Sequence, residues 1–221
     1  NAWHRAEPGV LFWDTILRES ISDCYADLGF KTMATNPCGE IPLPPYDSCR
    51  LLAKNLFSYV KNPFTNKAEF DFPLFRENVR YAQRMMDDIV DLEIEKIDAI
   101  FAKIDNDPEP EKIKFVEKEL WEKIKDTAIR GRRTGLGITG EGDMLAALGL
   151  RYGSGEATAF SENVHKTMAI EAYRESVNMA KERGIFPIYN AEREKNNPFI
   201  KRVIEADEDI NRDMTRYGRR N

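Results

Sequence analysis

Histidine and cysteine are scarce in this chain of 221 residues, with two of the first and three of the second. No C-x-x-C or H-x-x-x-H spacing exists among them, so no familiar metal-ligand set is expected. His4 and His165 stand 161 positions apart and read as surface or half-buried side chains. Three cysteines are an odd number and a poor disulfide framework, which points to a reducing, cytoplasmic setting. No run approaches the roughly 20 apolar residues of a membrane helix, and no charged and apolar leader opens the chain. Basic excess is absent too: the formal charge is −5, with Lys and Arg interleaved among Asp and Glu. Neither a membrane nor a nucleic acid is an expected partner. There is no internal repeat and no low-complexity stretch. The chain begins at Asn1 and ends Tyr217-Gly218-Arg219-Arg220-Asn221, which reads as cut at both ends.

What is present is mostly helical pattern. From Phe75 to about Ile104 apolar residues recur on one stripe through Val79, Ala82, Met86, Ile89, Val90, Ile94 (or Glu93), Ile97 and Phe101. Asp107-Pro108-Glu109-Pro110 breaks it, and a second helix runs to about Arg130, so residues 74–130 predict a helix hairpin. Residues 131–150 form a glycine-rich segment and a short helix. A long helix follows over 156–184, closed by Gly184 with Pro187 beyond it. Another short helix is expected near Phe199–Ala206, and the rest of the tail reads as polar loop.

Residues 36–46 contain four prolines and Gly39, which excludes a helix interior and predicts an extended, shaped loop. In an extended chain alternate side chains share a face, so Asn36, Cys38 and Glu40 would present an amide, a thiol and a carboxylate together. Such a loop must curve for the three to converge on one small molecule. A carboxylate can take a hydroxyl proton, an amide can hold it and a second hydroxyl, and a thiol can give a hydrogen atom or attack. A buried cysteine packed in a proline-rich loop is the alternative for Cys38 taken alone.

The string Thr35-Asn36-Pro37-Cys38-Gly39-Glu40-Ile41-Pro42-Leu43, followed by Tyr46-Asp47-Ser48-Cys49, resembles the active-site finger loop of ribonucleotide reductase catalytic subunits. Ala6-Glu7-Pro8-Gly9-Val10-Leu11-Phe12-Trp13-Asp14 is similar to that family's segment upstream of the loop. Arg132-Arg133-Thr134-Gly135-Leu136-Gly137 and Asp143-Met144-Leu145-Ala146-Ala147-Leu148-Gly149 are similar to its segment downstream. The chain end looks like the stretch just before the family's phosphate-binding loop. Cys38 and Cys49 lie eleven positions apart, a spacing that resembles the adenosylcobalamin-dependent class. Arg50-Leu51-Leu52-Ala53 departs from the Asn-Leu-Gly-Ser type of sequence common there.

The resemblance implies an α/β fold, part of the ten-stranded α/β barrel of radical reductases, with residues 1–221 a central piece, mostly helical, carrying a finger loop over 35–50. By that resemblance the enzyme is an oxidoreductase of deoxyribonucleotide biosynthesis that reduces ribonucleoside diphosphates or triphosphates. Cys38 would carry the thiyl radical that abstracts the ribose 3′ hydrogen, Glu40 would be the base for the 3′ hydroxyl, and Asn36 would orient them. Cys49 would be half of a redox-active disulfide whose partner cysteine lies upstream of residue 1. Adenosylcobalamin, a thioredoxin-type dithiol, nucleotide effectors bound elsewhere and the remainder of the reductase chain are the implied cofactor and partners. No cofactor-binding residue is assigned. The chain alone is expected to be inactive, and Cys24 is expected to be structural.

Two patterns compete. Gly135-Leu136-Gly137-Ile138-Thr139-Gly140 is a literal G-x-G-x-x-G, but a charged helix rather than a strand is expected before it, so it reads as a closely packed helix start. Asp87-Asp88-Ile89-Val90-Asp91 matches the D-D-x-x-D of magnesium-dependent prenyl-diphosphate enzymes; a solvated or interface face is the plainer expectation. A non-catalytic helical interaction module is the third class.

Overall fold

The computed structural model describes all of residues 1–221. Two short helices, α1 (Ala2–Arg5) and α2 (Trp13–Glu19), and a 3₁₀ segment at Ser22–Leu28 lead to a two-stranded antiparallel hairpin. Its strands are β1 (Ala34–Thr35) and β2 (Pro42–Leu43), in the register Ala34↔Leu43 and Thr35↔Pro42. Strand β3 (Leu51–Asn55) follows, then a small hairpin of β4 (Val60–Lys61) and β5 (Glu69–Phe70). Two long helices come next, α3 (Phe72–Asn106) and α4 (Glu111–Gly131). Strand β6 (Gly135–Thr139) pairs in parallel with β3, Leu51 opposite Gly135 and Asn55 opposite Thr139. After it come α5 (Glu141–Ala147), α6 (Gly155–Arg183), α7 (Ala191–Glu194), α8 (Pro198–Ala206) and α9 (Glu208–Tyr217). No helix is long and apolar enough to cross a membrane.

The helix limits follow local chemistry. The Asp71 carboxylate accepts from the Leu74 amide and caps α3, with Pro73 in its first turn, where a missing N–H costs nothing. The Ser154 hydroxyl accepts from the Ala157 amide and caps α6, and Gly184 with φ +83° ends it. The stripe expected on α3 is buried at Val79, Ala82, Met86, Val90 and Ile97, whereas Ile89 is exposed and Gln83 and Asp87 are buried instead. The tail departs from the expected polar loop. α9 packs Ile210 and Met214, one turn apart, against Val177 of α6 and Ile200 and Val203 of α8.

The main core lies between α3, α5, α6 and the β4–β5 hairpin, around Phe75, Val79, Met144 and Val164. Phe75 meets Tyr59 edge-on at 5.0 Å between ring centroids, and Phe70 at 5.3 Å. Ion pairs join α3 to α6 in rising register, Arg80 with Glu171 and Arg84 with Glu175 and Glu182, so the two helices run in parallel. Asp98–Lys125 and Asp105–Lys118 join α3 to α4 in opposite register, as an antiparallel hairpin requires.

The glycine run is corrected from a helix start to strand β6, and α5 begins only after Gly140. Parallel pairing brings the Arg50 carbonyl so near Gly135 that a Cβ there would lie 2.4 Å from its oxygen. The dinucleotide pattern fails because two of its three glycines, Gly135 and Gly137, sit inside strand β6, leaving only Gly140 at the turn before α5.

Asp87 is fully buried on α3. Its Oδ1 accepts from Arg132 Nη2 at 2.6 Å and Asn221 Nδ2 at 2.8 Å, and its Oδ2 from Arg183 Nη1 at 2.9 Å. Arg220 Nε adds a contact at 3.2 Å. Burial acts to raise the carboxyl's pKa, but hydrogen bonds from Asn221 and Arg132 and the charges of Arg132 and Arg220 outweigh it, so the group lies below the usual carboxylate range. For a depressed carboxyl the stabilisation is complete above the unfolded value of about 3.9 and is lost as pH falls through the folded value. Asp87→Asn is expected to lower stability by about 3 kcal/mol at neutral pH. Denaturant unfolding of both proteins from pH 7 to pH 2 should show the difference shrinking below about pH 4.

Candidate active site

The proline-rich loop is not extended through its length. The chain reverses between Asn36 and Ile41, with a turn at Pro37–Cys38 closed by the Gly39 amide on the Asn36 carbonyl at 3.0 Å. Gly39 has φ +84°, and a Cβ there would lie 3.2 Å from Leu11 Cδ2, so both backbone and space call for glycine. The expected sharing of a face by alternation is therefore corrected: Asn36 and Glu40 meet because the turn folds one onto the other. Asn36 Nδ2 donates to Glu40 Oε1 at 2.5 Å, and the Asn36 Oδ1 accepts from the Ile41 amide at 3.0 Å. These two bonds fix the orientation of the Asn36 amide, whose residue is 7% exposed. Cys38 stands exposed at the tip of the turn, so it is not the packed core thiol of the alternative reading.

Glu40 borders a cavity of about 740 Å³ enclosed by the hairpin, Gln83 of α3, Leu136 of β6, one face of α6 and the chain end at Arg219 and Asn221. Ligand cavities are commonly about 300–1,000 Å³, and this one falls in that range. One wall is rigid. Arg219 is buried, pairs with the buried Glu194 at 2.6 Å, and lies 4.9 Å from the Phe186 ring centroid and 5.5 Å from that of Tyr173. Burial pushes the Tyr173 phenol up to about 12. His165 lies on the rim, 3.7 Å from Glu141.

Cys49 is exposed and lies on the segment between the hairpin and β3. An ion network that the sequence reading missed surrounds that segment. Arg133 Nη1 donates to Asp47 Oδ2 at 2.5 Å and its Nη2 to the Pro42 carbonyl at 2.7 Å. Arg50, 6% exposed, pairs with Asp47 and Glu93 and donates to the Arg133 carbonyl at 2.9 Å. The signal available in the sequence was Arg50 itself, the departure from the family pattern. Cys24 is half-buried beside Tyr25, Phe30 and Phe186, and burial with the nearby Glu194 charge pushes its thiol up.

The D-D-x-x-D residues form no open magnesium site. Carboxylate oxygens of Asp87, Asp88 and Asp91 lie within 4.8 Å of one another. Those of Asp87 are occupied by guanidinium and amide donors, Arg132 also takes Asp91 at 2.7 Å, and Arg183 takes Asp88 at 2.7 Å. A cation would have to displace three arginines, which corrects the prenyl-diphosphate alternative; of the solvated or interface face expected, Asp87 lies in the interface and Asp88 is exposed.

Comparison with known proteins gives the family. The family model for the ribonucleotide reductase barrel domain matches residues 1–221. A vitamin B12-dependent ribonucleoside-diphosphate reductase of Thermoplasma acidophilum is 35% identical over 196 residues, 88% of this chain and 21% of that protein. One from Mycobacterium tuberculosis is 31% identical over 187 residues, 85% of this chain and 22% of its own length. The ribonucleoside-diphosphate reductase subunit alpha of Chlamydia pneumoniae is 28% identical over 160 residues, 71% of this chain and 12% of that one. This chain thus spans about a fifth of the length of the first two relatives. With a match along its whole length, the chain belongs to the ribonucleotide reductase family, in the barrel domain.

Proposed function

We propose that this chain supplies the radical-bearing hairpin of a vitamin B12-dependent ribonucleotide reductase, acting with the remainder of the reductase. The single observation that carries the reading is the turn in which Asn36 holds Glu40 at the edge of the cavity with Cys38 between them at the tip. Glu40 is placed to take the proton of a ribose hydroxyl, and Asn36 keeps its carboxylate aimed. Cys38 gives up its hydrogen atom to become a thiyl radical, takes the 3′ hydrogen of the ribose and returns it at the end. The 2′ hydroxyl leaves as water, and Cys49 with a second cysteine thiol supplies the two electrons and becomes a disulfide. A thioredoxin-type dithiol in the cytoplasm then restores both thiols.

The cobalamin assignment follows the names of the two most similar relatives described above. Cobalamin, when bound, supplies the homolytic chemistry that removes the hydrogen atom from Cys38. The exposed thiol at the turn tip fits that use, because a bulky group can reach its sulfur. No residue of this chain is assigned to hold the corrin, and the Asn36–Glu40 pair serves the substrate side alone.

In the complete reductase, Cys38→Ser is expected to abolish deoxynucleotide formation, whereas Cys49→Ser spares hydrogen exchange through Cys38 and stops repeated turnover on a dithiol. Normal multiple turnover by Cys49→Ser, followed by product chromatography, would remove Cys49 from the electron pathway. The 221-residue chain given cobalamin, nucleotide and dithiol is expected to form no deoxynucleotide; measurable product in that assay contradicts the need for the rest of the reductase.

A further inference from the structure

We propose that Glu93 on α3 is the positioning residue of Cys49. Its two carboxylate oxygens hold the side chains on either side of that cysteine and so set which way the thiol faces. Ser48 Oγ donates to Glu93 Oε1 at 2.5 Å, and Arg50 Nε donates to Glu93 Oε2. Residues 47–50 lie outside regular helix or strand. Ser48 and Arg50 both turn toward Glu93 on α3, whereas Cys49 between them is exposed; the Arg50 side chain is 4% exposed and that of Asp47 1%.

The clamp is anchored from both ends. Asp47 takes Arg50 at 3.3 Å and Arg133 at 2.5 Å, and Arg133 reaches the Pro42 carbonyl of the finger hairpin. The Cys38 hairpin and the Cys49 segment are thereby tied to one guanidinium. Arg50 Nη2 is buried with no hydrogen-bond partner. An apolar side chain would fill that space without an orphaned donor, so packing alone does not call for arginine there. Its bonds to Glu93, Asp47 and the Arg133 carbonyl do.

This inference rests on the reading of Cys49 as a redox thiol, and two readouts separate them. The first needs no enzyme activity. In the 221-residue chain, Cys49 and Cys38 are alkylated with iodoacetamide and followed by mass spectrometry, Cys38 serving as the internal reference. Ser48→Ala, which removes one arm and leaves the buried charges paired, and Glu93→Gln should each lower the Cys49-to-Cys38 rate ratio severalfold, the shift that one lost hydrogen bond to a charged acceptor allows. An unchanged ratio in Ser48→Ala, with the melting temperature of the parent protein, overturns the clamp even if Glu93→Gln fails to fold. In the complete reductase the same variants should slow dithiol-driven turnover and spare hydrogen exchange through Cys38. A lowered labelling ratio with normal turnover keeps the clamp and overturns the redox reading of Cys49.

Discussion

Asp87 gathers Arg132, Arg183, Arg220 and Asn221 from three distant stretches of chain onto one buried carboxylate. A carboxylate in such a place is unfavourable unless every lone pair is taken, and here donors crowd both oxygens. The consequence reaches past α3. Arg132 adopts a left-handed backbone, φ +41°, at the end of α4, and its side chain goes inward to Asp87. The next residue, Arg133, goes the other way, to Asp47 and the Pro42 carbonyl. The start of β6, the finger hairpin and the Cys49 segment are all positioned from that pair of arginines.

The chemistry proposed for Cys38 needs geometry held by something other than the reacting groups. The hairpin meets this with few parts. Gly39 permits the turn, Asn36 spends its amide on Glu40 and Ile41, and the cavity beside Glu40 is lined on its far side by Arg219, which Glu194 pairs. The two cysteines of interest are both exposed, and neither is held by its own side chain. Their positions come from neighbours: Asn36 and Gly39 for Cys38, Ser48 and Arg50 for Cys49.

Much of this was legible in the chain. Pro108 and Pro110 and Gly184 marked limits of the long helices because those signals act within a turn or two of their own position. The chemistry at Asn36, Cys38 and Glu40 was legible as residue types, although the turn that joins Asn36 to Glu40 was read as an extended strand-like loop. What escaped depends on contacts far along the sequence. β6 has two glycines, poor strand formers, among its five residues, and it pairs with β3, some 84 positions earlier. The partners of Asp87 could not be read from the sequence because they are 45 to 134 positions away. α9 showed only Ile210 and Met214 as apolar anchors, and their partners lie on α6 and α8.

Hydrogen isotope exchange between the 5′ carbon of the cobalamin cofactor and solvent, measured in the complete reductase without net reduction, reads the hydrogen-atom role proposed for Cys38 apart from the proton role proposed for Glu40. Cys38→Ser should abolish the exchange, and Glu40→Gln should retain it while failing to reduce nucleotide. Exchange that persists in Cys38→Ser would contradict the placement of the radical on this hairpin.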